Sequence, residues 1–105
     1  MKDYIRSKAK NASEKIMQDE AKKLFDDVMT RASKAIAATV EKTDGKMTVE
    51  SAVSTMAFTL REAEVTLFAA LKRSISADRF DHVKRVYDEV STTAILDVKE
   101  RHNVN

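Results

Sequence analysis

Apolar side chains recur along this chain at three- and four-residue steps, the spacing that gathers them on one face of a helix. The clearest run is Ala21, Leu24, Phe25, Val28, Met29, Ala32, Ala35, Ile36 and Val40. It predicts a long first helix ending near Lys42, where Lys42-Thr43-Asp44-Gly45-Lys46 interrupts the pattern. Gly45 is the residue expected to take the left-handed conformation that closes this helix, and Thr48 is the expected cap of the next.

The start of the first helix is less sharply drawn. Ile5, Ala9, Ala12 and Ile16 also keep helical spacing, but at about 100° per residue their stripe lies roughly 150° around the axis from the later one. A straight helix cannot bury both stripes against one partner. Asn11 followed by Glu14 resembles a capping box, so the main helix either starts there, leaving residues 1–10 as a separate arm or short fourth helix, or runs continuously with its first turns against another neighbour.

A second helix is predicted from roughly Val49 to Ile75. Its main stripe is Val49, Ala52, Val53, Met56, Leu60, Ala63, Leu67 and Leu71, and the nearly opposite face carries Phe58, Val65 and Ala69, flanked by Arg61, Glu62 and Lys72. A third helix follows a cap at Ser76 or Asp78 and runs to about Arg101, with Phe80, Val83, Val86, Tyr87, Val90, Ala94 and Val98 inward. Asp81, Arg85 and Glu89, Lys84 and Asp88, and Asp97 and Arg101 stand at i, i+4 on its solvated face. With neither Gly nor Pro between Ile75 and Phe80, fusion of the second and third helices is the alternative, and it would force an intertwined oligomer. His102-Asn103-Val104-Asn105 is expected as a frayed tail.

Composition agrees with a helical reading. The chain of 105 residues has one Gly and no Pro, is 43% hydrophobic and 34% charged, and so lacks the residues that punctuate sheets. The fold expected is a single all-α domain, an antiparallel bundle of three long helices that self-associates. The absence of Cys removes disulfides, thiolate nucleophiles and Cys-based zinc sites, and a reducing cytoplasm is the simplest location. The charged N-terminus leads into no continuous apolar run, so neither a standard export signal nor a membrane span is expected.

Candidate chemistry is sparse. One Gly cannot build a phosphate-cradling loop of the Walker or dinucleotide type. His82 stands at i, i+4 from Asp78, but no third ligand is near it in sequence, so an exposed His beside a capping Asp is the better reading and no metal or cofactor is expected. Asp19-Glu20, Asp26-Asp27 and Asp88-Glu89 are adjacent helical carboxylates that point about 100° apart, which suits surface charge better than acid/base catalysis. An enzyme is not expected.

The net charge of +2 is too small to argue for nucleic acid by itself. Its uneven distribution matters more, since residues 1–23 hold seven basic and four acidic side chains. Lys2, Arg6, Lys8 and Lys10 could reach phosphates, an alternative to the ordinary reading of a solvated helix end. Aromatic residues other than Tyr4 and Phe58 lie on apolar faces where core packing explains them.

Phe58 stands apart. In a three-helix bundle the middle helix touches both neighbours, so burial of the Phe58, Val65 and Ala69 strip within the chain is the first expectation and a homodimer seam the second. Two misphased apolar strips exceed what one small bundle needs. The function expected is therefore a non-catalytic binding module, a small regulator or inhibitor that offers a helical surface to a protein partner. Ile5, Ile16, Phe58 and Val65 are its anchors, with Ala69 and Arg61 beside them. A structural or assembly protein is a further alternative. The Cys-free, Gly-poor make-up resembles that of small accessory proteins of bacteria and their phages, a likeness of composition that assigns no site.

Overall fold

The computed structural model describes residues 10–104, and among these the chain is all-α: α1 Ala12–Lys42, α2 Val49–Ser74 and α3 Ala77–Arg101, with no strand. Among the described residues, no helix is long and apolar enough to cross a membrane.

Each helix begins where local side-chain chemistry satisfies the orphan N–H groups of a first turn. At α1, Asn11 Oδ1 accepts the backbone N–H of Glu14 at 2.9 Å, and the Glu14 carboxylate accepts the N–H of Lys10 at 2.6 Å. This is the expected capping box with its return bond moved one residue outward. Thr48 Oγ1 accepts the N–H of Ser51 at 3.2 Å to start α2. Ser76, at φ −64° and ψ 155°, starts α3 by accepting the N–H of Arg79 at 3.3 Å. Its extended backbone separates α2 from α3, so the fused rod does not form. Of the two residues that could cap α3, Ser76 is the one used.

The end of α1 differs in detail from expectation. The N–H of Gly45 donates to the Val40 carbonyl at 3.0 Å and that of Asp44 to the Glu41 carbonyl at 3.1 Å, the paired bonds of a Schellman closure. In that motif the left-handed closing residue is Asp44, at φ 51°, and Gly45 follows as a second left-handed residue at φ 75°. Thr43 ties the connection together, donating its hydroxyl to the Thr39 carbonyl at 2.8 Å and accepting the N–H of Met47 at 3.1 Å.

The same closure recurs at α3. Val104 donates to the Lys99 carbonyl at 2.9 Å and Asn103, at φ 54°, to the Glu100 carbonyl at 3.2 Å. His102–Val104, expected as a frayed tail, are thus hydrogen-bonded back onto the helix. Asn adopts a left-handed conformation readily, which suits it to this position.

The chain divides into two compact units. One is Lys22–Ala70, holding the later part of α1 and most of α2. Here Ala52 is 2% exposed, the one buried residue among those described. Ile36, Ala38, Thr39 and Val40, close in sequence to the connection, are half-buried, as are Val28, Ala32, Ala35 and Met56. Leu24 and Leu67, on the predicted inward stripes, remain 62% and 70% exposed, and Phe25 is exposed as well. Core packing therefore does not account for Phe25.

The other unit holds the described residues up to Ala21 together with those from Leu71 onward. The sheltered positions of α3 are Phe80, Lys84, Tyr87, Val90, Ser91, Ala94, Asp97 and Val98, which include five of the seven predicted inward residues, while Val83 and Val86 are exposed. In the first turns of α1 it is Glu14, Gln18 and Ala21 that are half-buried, while Ile16 is exposed. Amphipathic spacing located the apolar stripes correctly but not what faces them, and each unit leaves much of its apolar surface outward.

Candidate binding surfaces

Two surfaces emerge once the helices are placed. The first is the α2 strip singled out from sequence. Phe58 is 66% exposed and Val65 65% exposed, two turns apart on one side of the helix, with Ala69 half-buried one turn further on and Arg61 exposed at the margin. Burial of Phe58 within the chain, the first expectation, does not occur. Ile16 is likewise 64% exposed, on the opening turns of α1. Ile5 lies outside the described residues.

The second surface was not anticipated. Within the Lys22–Ala70 unit, Asp27, Val28, Arg31, Ala32 and Ala35 of α1 and Met56, Thr59 and Leu60 of α2 line an open groove of about 360 Å³. Its floor is apolar and low because Ala32 and Ala35 are small. Asp27 and Arg31 stand at its margin, and among the described residues neither is in an ion pair. The sequence carried a signal for it in the small residues of the α1 stripe, which cannot fill the space opposite Leu60.

Threonines reinforce the apolar character of α2. Thr55 donates its hydroxyl to the Ser51 carbonyl at 2.9 Å, Thr59 to the Thr55 carbonyl at 2.9 Å and Thr66 to the Glu62 carbonyl at 2.8 Å. A hydroxyl bonded to its own helix needs no further partner for its proton, so these side chains can be covered at little polar cost.

The polar candidates are arranged as surface structure. Asp19 pairs with Lys15 at 2.6 Å and Asp26 with Lys22 at 3.1 Å on exposed faces, and Asp88 with the half-buried Lys84 at 2.6 Å, all i, i+4 and worth a few tenths of a kcal/mol each. Arg101 and Asp97 stand 3.6 Å apart. His82 and Asp78 are exposed, and among the described residues no cluster of three or more His, Asp or Glu could hold a metal ion.

Of the basic residues proposed for phosphate contact, Lys10 is exposed and gives its backbone N–H to Glu14. Lys2, Arg6 and Lys8 lie outside the described residues. Compared with known proteins, the chain matches no family model, no curated relative and no solved structure.

Proposed function

We propose that this chain is a non-catalytic helical binding protein of the cytoplasm, a small regulator or inhibitor that engages a protein partner through the Phe58 and Val65 face of α2. The observation that carries the reading is the exposure of both side chains, about two-thirds each, on one helical face. Burying a Phe or Val side chain contributes about 1.5–3 kcal/mol, so a groove on a partner that accepts both gains an anchor of ordinary hot-spot size. Arg61 at the margin supplies a charged donor for the rim of such an interface. Ile16 is a second anchor, on α1.

Self-association belongs to the same reading, with the three helices in antiparallel order within each copy.

The test is capture of partners from the cells that make the protein, using the wild-type chain and a Phe58→Asp, Val65→Asp double variant of unchanged helix content. Proteins retained by the wild type and lost with the double variant are the expected result. An identical set retained by both would remove this face from the reading.

A further inference from the structure

The α1–α2 groove has features of a surface built to meet itself. Its α1 wall carries Asp27 and Arg31, opposite charges one turn apart, and each lacks an ion-pair partner among the described residues. Along the same side of α1 an apolar strip runs from Leu24, which is exposed outside the groove, past Val28 to the small Ala32 and Ala35 of the groove. On α2, Thr59 presents a hydroxyl already bonded to the Thr55 carbonyl, and Leu60 is exposed.

We propose that this groove is the seam of a two-fold homodimer, in which α1 of one copy lies against α1 of the second in opposite directions. A two-fold axis near Met29 brings Asp27 beside Arg31 of the second copy and Arg31 beside Asp27 of the second copy, so one charge pattern satisfies itself twice. The same axis sets Leu24 opposite Ala35 of the second copy, large against small, which is how facing helices interdigitate. Val28, which lines the groove, falls beside the axis.

A second copy is favoured over an unrelated helix by the charges at the lip, which are complementary to their own arrangement under a two-fold axis. The seam also leaves the Phe58 and Val65 strip free, because that strip lies roughly 150° around α2 from the groove residues. The dimer thus presents two copies of the partner-binding face. The proposal rests on the reading of this chain as a binding protein but uses different residues from it.

The experiment uses Asp27→Arg and Arg31→Asp, made separately in the full chain. Sedimentation equilibrium across micromolar concentrations should give a dimer for the wild type. Each variant alone places like charges across the seam and should dimerise at least about ten-fold more weakly. Mixed in equal amounts, the two variants are complementary and should recover a heterodimer. Loss of helix in each variant alone with recovery on mixing supports the seam equally, since it shows folding coupled to pairing.

A wild type that stays monomeric at every concentration overturns the proposal, as does a mixture that associates no better than its components. Dimerisation lost instead in the Phe58→Asp, Val65→Asp double variant would move the seam to the other face and overturn it too. Loss of partner capture in that double variant with the dimer intact leaves the seam standing, so failure of one reading is distinguishable from failure of the other.

Discussion

The ammonium nitrogen of Lys72 lies 5.7 Å from the centroid of the Phe80 ring. Lys72 is in the last turn of α2 and Phe80 in the first turn of α3, so the contact spans the break at Ile75 and Ser76. A cation over an aromatic face at an exposed site contributes about 0.5–1 kcal/mol. Together with the Ser76 cap it holds a corner that neither Gly nor Pro marks in the sequence.

Removing that cap should be measurable. Ser76→Ala is expected to lower stability by about 1 kcal/mol in urea unfolding followed by circular dichroism, and Ser76→Gly by only a few tenths. Should Ser76→Ala leave the midpoint unchanged and raise helix content, the residue would be a spacer rather than a cap, and α2 and α3 would be free to merge.

The start of α1 makes a parallel case with a different readout. Asn11→Ala should cost about 1 kcal/mol and speed hydrogen exchange at the Glu14 amide, which Asn11 Oδ1 accepts. Glu14→Gln should speed exchange at the Lys10 amide, whose acceptor is the Glu14 carboxylate. Because the two bonds form one box, the double variant should cost less than the two single changes together. Strict additivity would show that the bonds act independently.

These caps were legible in the sequence, Asn11 and Ser76 each as one of two choices, because their chemistry is local. Asn11 with Glu14, Thr48 with Ser51, and Ser76 with Arg79 each act across three residues, a distance that sequence fixes outright. What faces the apolar stripes was not legible, for the opposite reason. Periodicity states which side of α1 carries Leu24 and Phe25 and which side of α2 carries Leu67, but not whether another helix lies close enough to cover them. The same limit explains the reversal at Phe58, whose cover was expected from the place of α2 between two neighbours and which has none. Asp44 was missed as the closing residue because Gly45, the stronger left-handed signal, stands next to it.

That closure yields its own prediction. Gly45 sits at φ 75°, yet a Cβ built there meets nothing within 4 Å, so any loss on substitution is a backbone loss. Gly45→Ala should therefore cost about 1–2 kcal/mol from left-handed strain alone. Asp44→Val, a β-branched residue forced to φ 51°, should cost at least as much, while Asp44→Asn should be nearly neutral. Thermal unfolding of the three variants decides the order. A tolerant Gly45 would mean that the connection relaxes out of its left-handed geometry at no expense.

Ala52 is where enlargement should hurt most. At 2% exposure its methyl is closed off from solvent, whereas Ala57 on the same helix is exposed. Adding three carbons at a closed position forces neighbours out of their rotamers and costs about 1–3 kcal/mol. The same change at a solvated helical site alters stability by only about 0.2 kcal/mol, the difference in helix propensity. Ala52→Leu should accordingly lower the urea midpoint and Ala57→Leu should leave it in place. The contrast bears on more than one residue. If Ala52→Leu is tolerated as well as Ala57→Leu, α1 and α2 separate easily near their connection, and the closed end that holds the groove in shape is lost. If only Ala52→Leu is destabilising, the contact near the connection is rigid, and the open groove beyond it is a fixed feature against which a second helix can pack.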